Sequence, residues 1–344
     1  MDAVRSAAAT PRAARGAVRL RPGVVPVERT GGLLLVSPED VAVRVGAAAL
    51  ELVPLIREGT SFERLAALLR TRHPAAGDVD AQLAVFLGQL WHAGLLEGAP
   101  GARARRSSAR RFRLVDPDPL ARRIAAAVGL LPAPVRRVAL AASIAAAAAA
   151  LGWVASSGQR PRVSDVAHRF DPYALALFVL VVIPLHELAH AVAARRTGVA
   201  VTDIGVLLWK RVFPTPYSDT SGAYRVSGRG ARALIGFAGP LVDLWSAGVA
   251  AAVAVTAAGE PAHAALYLVV LCGLAVCFDV NPMFPSDGSR VLEALAGDEL
   301  LRQRALAPRV AARARPAAVR AYRAAALFWI AATAATGVWL SVGF

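Results

Sequence analysis

Residues 172–194 read PYALALFVLVVIPLHELAHAVAA. A run of this length and composition crosses a hydrocarbon core roughly 30 Å thick when it is helical, yet its second half carries His186, Glu187 and His190. Two imidazoles and a carboxylate are costly in lipid, and such groups are retained where they bind something or carry out chemistry. Asp171-Pro172 opens the run with an N-cap acid and a proline at the first helical position. Pro184 has no N–H to donate and is expected to bend the helix or admit water two residues before His186.

On a helix, residues four apart are offset by only about 40° around the axis, so His186 and His190 point from one face and can hold one metal ion. In a His-Glu-x-x-His arrangement the carboxylate, here Glu187, is placed to take a proton from an attacking water and hand it to the departing amine. The structural alternative is a histidine pair bonded between helices with Glu187 neutral or ion-paired; burying three such groups together in lipid weighs against it. The two cysteines, Cys272 and Cys277, fit neither a disulfide framework nor a zinc ribbon, so a zinc ion must be held by His and carboxylate. Two histidines leave a third protein position to fill and a fourth open. The best candidate is Asp287, in Asn281-Pro282-Met283-Phe284-Pro285-Ser286-Asp287-Gly288 at the end of a later apolar run.

Working outward, the sequence predicts about five spans: Pro134 to Ala155, Pro172 to Ala194, Ala231 to Ala257, Ala262 to Met283 and Ala324 to Val342. Arginine orients them. Arg122, Arg123, Arg136 and Arg137 precede span one, Arg195 and Arg196 follow span two, and Arg225, Arg229 and Arg232 precede span three. Arg302, Arg304, Arg309, Arg313, Arg315, Arg320 and Arg323 separate spans four and five, on the same side by alternation, which is therefore the cytoplasmic side. Arg160, Arg162 and Arg169 on the opposite side soften this bias. The expected location is the cell membrane, multi-pass, with His190 and Asp287 both near its cytoplasmic face.

Composition agrees with that architecture. A chain of 344 residues that is 56% hydrophobic is too apolar for an ordinary soluble domain. Its 39 basic against 24 acidic residues give a formal charge of +15, which is read as loop arginines following membrane topology, not as a nucleic-acid surface. Of the other histidines, His73, His92, His168 and His263 have no partner at helical ligand spacing. Trp153, Trp329 and Trp339 read as interface anchors or packing. No apolar segment follows the first arginines, so no cleavable secretory signal is expected.

Before the spans, residues 1–20 are expected to be a flexible terminus and 21–98 a small cytoplasmic domain. Val24 to Val27 and Leu33 to Val36 read as strands around Gly31-Gly32. Three helices follow: Ala47 to Arg57; one starting at a capping box of Thr60 and Glu63, with Phe62, Leu65, Leu68 and Leu69 on one face; and Asp80 to His92, with Leu83, Phe86, Leu87, Leu90 and Trp91 at helical spacing. Gly94 to Glu97 reads as a closing strand. Residues 99–131 are expected to be a basic linker, Gly101 to Arg113, and a surface helix, Leu120 to Leu131. Residues 132–344 form the membrane domain.

Two resemblances follow. The HELAH pair in one span and NPMFPSDG ending a later one resemble the site-2 protease family of intramembrane zinc metalloproteases, over about Pro172 to Ala294. That resemblance implies His186, His190 and Asp287 as zinc ligands and Glu187 as general base. Phe237-Ala238-Gly239-Pro240 is similar to that family's Ala-Gly-Pro motif, and Asn281, Gly239 and Pro240 are its implied substrate-contacting positions. Read from the residues alone, Gly239-Pro240 is equally a kink or a close-packing point. Family members often carry Asn where this chain has Asp243, which leaves substrate contact there open. Val199 to Tyr224 reads as extended and turn-rich, either an edge strand that holds an incoming peptide or a hairpin that plugs the site.

The N-terminal order of strand pair, three helices and AGLLEG is similar to the winged-helix-like peptide-binding domain of pyrroloquinoline quinone biosynthesis (PqqD-like), a recognition element for ribosomally made, modified peptides. This implies a leader peptide added as a strand beside the N-terminal pair. The combined expectation is an α-helical multi-span membrane protein with a small α+β N-terminal domain. It would be a zinc endopeptidase acting on a precursor peptide in the bilayer, alongside modifying enzymes or an exporter. Regulated proteolysis of a single-span membrane protein and a non-catalytic export accessory are the alternatives.

Overall fold

The computed structural model describes residues 17–29, 32–38, 42–46, 50–74, 77–99, 110–157, 169–209, 213–307 and 317–342. Gly31, most of the expected linker, Arg160, Arg162, His168, Arg309, Arg313 and Arg315 lie outside them. Two compact units result: residues 1–110 with 224–227, and 111–223 with 228–344.

In the first unit, β1 (Val25–Arg29), β2 (Gly32–Val36) and β3 (Ala42–Gly46) form one antiparallel sheet in the order β1-β2-β3. The third strand was not expected; it ends at Gly46, just before the expected first helix, whose opening residues 47–49 lie outside the described ones. Val43 and Val45 do alternate with polar or small neighbours in AVRVG, but five residues are too short a run to set a strand apart by period alone. The helix itself, α1, is shorter, Leu52–Glu58. α2 (Phe62–Arg72) is capped one residue later than expected: the Ser61 hydroxyl, not that of Thr60, accepts the Arg64 N–H at 3.3 Å. Asp78 caps α3 (Val79–His92) by accepting from Ala81 N–H at 3.0 Å. Leu65, Leu83, Leu87 and Leu90 bury the inner faces of α2 and α3 against Leu35, Val45, Leu52 and Ile56. The expected closing strand is a single bridge, Leu20 to Leu96. Within this unit, the carbonyls of Tyr224 and Val226 accept from Arg29 at 2.7 and 3.2 Å.

The second unit begins with a strand where a linker was expected, β4 (Arg110–Val115). Phe112 and Leu114 do alternate with Arg111 and Arg113, but over only a few exposed residues beside an arginine- and serine-rich stretch that signal is weak; pairing with β5 makes it a strand. The sheet order is β4-β5-β6, with β5 (Ile204–Trp209) central and β6 (Phe213–Ser218) antiparallel to it. α4 (Asp118–Gly129) follows.

Four helices among the described residues are long and apolar enough to cross a membrane: α5 (Ala133–Ser156), α6 (Pro172–Arg196), α7 (Arg229–Thr256) and α8 (Glu260–Asp279). They match the first four expected spans, the fourth ending four residues early at Asp279. Two short helices, α9 (Asp287–Ala296) and α10 (Leu301–Leu306), precede α11 (Ala317–Val342). α11 contains the fifth expected span, of which side chains are described only to residue 334, so Trp339 is outside them.

α6 is capped as expected, the Asp171 carboxylate accepting from Tyr173 and Ala174 N–H at 3.0 and 2.9 Å. It widens into a π-helical stretch at Phe178–Val182. The cause lies just downstream: in a regular turn the Pro184 ring would collide with the carbonyl four residues before it, and a wider turn relieves that clash. The C-terminal end of α6 is held by Arg195, whose Nε lies 3.0 Å from the Asp118 carboxylate. Arg232 near the start of α7 pairs with Glu299 at 2.7 Å, both side chains largely buried.

α5 and α7 cross where Gly248 meets Ala147. A Cβ at position 248 would sit 2.7 Å from both Ala147 Cα and Cβ. Gly248→Ala should therefore force the helices apart and destabilise the folded protein by about 1–3 kcal/mol, read as a lower thermal midpoint in detergent.

Candidate metal centre

The face of α6 that carries His186 and His190 turns towards α7 and the start of α9, and there the two imidazoles meet Asp287. His190 Nε2 lies 3.1 Å from Asp287 Oδ2 and 3.1 Å from His186 Nε2; His186 Nε2 lies 3.3 Å from the same carboxylate oxygen. Asp287 reaches them because the Asn281–Ser286 turn reverses the chain after α8. Within it Asn281 Oδ1 accepts from Met283 N–H at 2.8 Å, Ser286 Oγ donates to the Asn281 carbonyl at 2.6 Å, and Ser286 caps α9. Asn281 is buried and its side-chain oxygen shapes that turn.

Both rings are pinned at the nitrogen facing away from this cluster. His186 Nδ1 donates to Asp243 Oδ2 at 2.8 Å, and His190 Nδ1 donates to the Ile235 carbonyl at 2.6 Å. Each Nε2 is thereby left as the free lone pair, the tautomer a metal ligand needs. The Ile235 carbonyl belongs to α7, one turn before Gly239. A main-chain carbonyl leaves no signal in a sequence, which is why this partner was not foreseen.

Gly239 is the floor of the site. A Cβ there would lie 2.3 Å from His186 Nε2 and 2.4 Å from His190 Nε2. Between the open readings of Gly239-Pro240, this geometry is a close approach of backbone to the two imidazoles, in space that any larger residue would fill.

The donor set fits zinc. With bonds of about 2.0–2.1 Å, a tetrahedral site has donor–donor edges of about 3.3 Å, which the three separations above approach. Asp287 adds a carboxylate to the two neutral imidazoles, completing a two-histidine, one-carboxylate donor set. Three protein donors leave one position open, the pattern of catalytic sites. A second grouping, His186 with Asp243 and Asp279, meets at His186 Nδ1. A ring nitrogen that donates its proton to Asp243 cannot also ligate there, so this grouping is a set of partners to the ring.

Glu187 is buried beside the histidines, and Ser218, the last residue of β6, stands next to its carboxylate. The extended stretch expected from Val199 to Tyr224 thus contains a hairpin whose end touches the proposed base. Ser218 had no sequence signal, since a lone serine in a turn-rich stretch looks like any other. Of the remaining histidines, His73 pairs with Glu51 at 3.0 Å, His92 bonds the Gly88 carbonyl at 2.7 Å, and His263 lies against Tyr267.

Comparison with known proteins bears on this region directly. Residues 173–296 match the family described as Peptidase family M50. The matched stretch holds the HELAH segment, Gly239-Pro240 and Asp287, and it stops short of the N-terminal unit. Family M50 comprises zinc metalloproteases of the intramembrane, site-2 type. No curated protein and no solved structure matches the chain.

Proposed function

We propose that this protein is a membrane-embedded zinc endopeptidase that cleaves a ribosomally made precursor peptide, with His186, His190 and Asp287 as ligands and Glu187 as general base. The observation that carries the activity is the convergence of three donors at 3.1–3.3 Å beside a buried carboxylate. Zinc held there supplies Lewis acidity, polarising the scissile carbonyl and making water a competent nucleophile near neutral pH.

The protein's own groups do the rest. Glu187 takes a proton from water as the water oxygen bonds to the peptide carbonyl carbon, and returns it to the amide nitrogen as the C–N bond breaks. The Ser218 hydroxyl beside the Glu187 carboxylate is available to orient it. β6, an edge strand among the described residues, is placed to hold the substrate extended. Prolines in a sheet turn their nitrogen away from the partner strand, and Asp219 N–H, of the opposite parity, bonds back to Asp203 O at 2.9 Å. The outer edge of β6 therefore offers the carbonyls of Pro214 and Pro216 and the N–H of Ser218. A substrate strand finds its donor nearest Glu187.

The substrate assignment rests on the N-terminal unit. Its three-stranded sheet has β1 and β3 as edges, backed by three helices, and an extended leader peptide pairs with such an edge. A cytoplasmic N-terminal domain and active site is part of this reading, supported by the arginine-rich loops of the sequence. No nucleic-acid partner is proposed.

The second reading, cleavage of a single-span membrane protein, is favoured by one feature. An apolar cleft of about 1400 Å³ runs along α5 to α8, lined by Leu140, Leu177, Leu185, Leu188, Trp245 and Leu268, with room for membrane-embedded substrate. The two readings separate with the full-length protein in vesicles. Shortening the leader upstream of the cleavage segment should slow precursor cleavage by about 10²–10⁴-fold at low concentration, the loss expected when tethering is removed. Equal rates with and without that leader would assign the substrate to the membrane instead.

A further inference from the structure

The geometry points to Asp243 as the positioning residue of the metal centre, a carboxylate that fixes His186 for metal binding and stands where the family pattern leads one to expect an asparagine facing substrate. The inference rests on the zinc reading proposed above and adds a residue that acts through a ligand.

Asp243 is 2% exposed, on the face of α7 turned towards α6. A carboxylate buried in a membrane-spanning helix is costly unless it is paired, and its partner here is the His186 Nδ1–H at 2.8 Å. Asp279, at the end of α8, stands behind the same nitrogen at 3.9 Å. The two ligand rings are thus supported unequally: His190 donates to a neutral main-chain carbonyl, His186 to an anion. A carboxylate behind a ligand imidazole fixes both ring orientation and tautomer and makes the far nitrogen a stronger donor. That far nitrogen is the one over Gly239 and 3.3 Å from Asp287. With its Oδ2 engaged by the ring and its side chain 3% exposed, Asp243 is directed at the ligand and not at an incoming peptide.

Asparagine at this position keeps the shape and one acceptor oxygen but loses the charge; alanine loses both. The expected order of zinc affinity is wild type, then Asp243→Asn, then Asp243→Ala, the last weaker by about 10- to 100-fold. The measurement is zinc competition against a chromophoric chelator with full-length protein in detergent, alongside the thermal midpoint of each metal-free form. If Asp243→Ala does not fold, Asp243→Asn, nearly isosteric, still reports. Unchanged zinc affinity in a folded variant, with any effect confined to KM for peptide, would overturn the positioning role and return the residue to substrate contact. Wild-type protein that fails to take up zinc at all would instead remove the zinc reading, so the two failures are distinguishable.

Discussion

Glu187→Gln is expected to abolish proteolysis while leaving the metal in place. The amide keeps the volume of the carboxylate and can still accept from Ser218, and Glu187 is not among the three converging donors, so zinc content should stay at one per chain. What disappears is the group that carries the proton from water to the leaving amine. Loss of a positioned general base costs about 10²–10⁴-fold, and because the same group also returns the proton, the upper end of that range is expected. Metal analysis and a cleavage assay on one preparation give the result. A variant that retained zinc and cut at the wild-type rate would remove Glu187 from the chemistry, and one that lost zinc would make it a ligand.

The difference between what could be read from the sequence and what could not follows from range. HELAH was legible because both histidines lie on one helix, where a four-residue separation fixes their relative direction. Asp287 was legible because Asn281-Pro282 and Asp287-Gly288 mark a turn and a helix start at the end of an apolar run. Asp243 was legible only as a departure from the resemblance and Ser218 not at all, since their partners lie across the bundle, 57 residues away for Asp243 and His186. The same holds for strands. β4 alternates Phe112 and Leu114 with arginines over too few residues to stand out from the arginine- and serine-rich stretch before it, and its pairing with β5 defines it; β3 is only five residues long and is defined by its pairing with β2. The π-helical stretch at Phe178–Val182 lies between: Pro184 announced a disturbance, and packing decided that it would be a wider turn.

Gly239→Ala is the test that separates a metal cradle from a helix-packing glycine. A methyl group at that position has no room: it would sit 2.3 and 2.4 Å from the two Nε2 atoms and 2.6 Å from His186 Cδ2, well inside contact distance. Neither ring turns aside freely, because each is pinned through its Nδ1, His186 to Asp243 and His190 to the Ile235 carbonyl. Moving one breaks a buried hydrogen bond, and moving neither fills the place of the ion. The backbone gives no compensating reason to unfold, since alanine is favoured over glycine in a helix interior by up to about 1 kcal/mol. The expected variant is therefore folded, free of zinc and inactive. Gly230→Ala is the matching control: it lies near the start of the same helix, a Cβ there meets nothing within 4 Å, and both zinc content and cleavage should be unchanged. Zinc at wild-type stoichiometry in Gly239→Ala would mean that the imidazoles converge on something other than the space above this glycine, and the ligand assignment would fall with it.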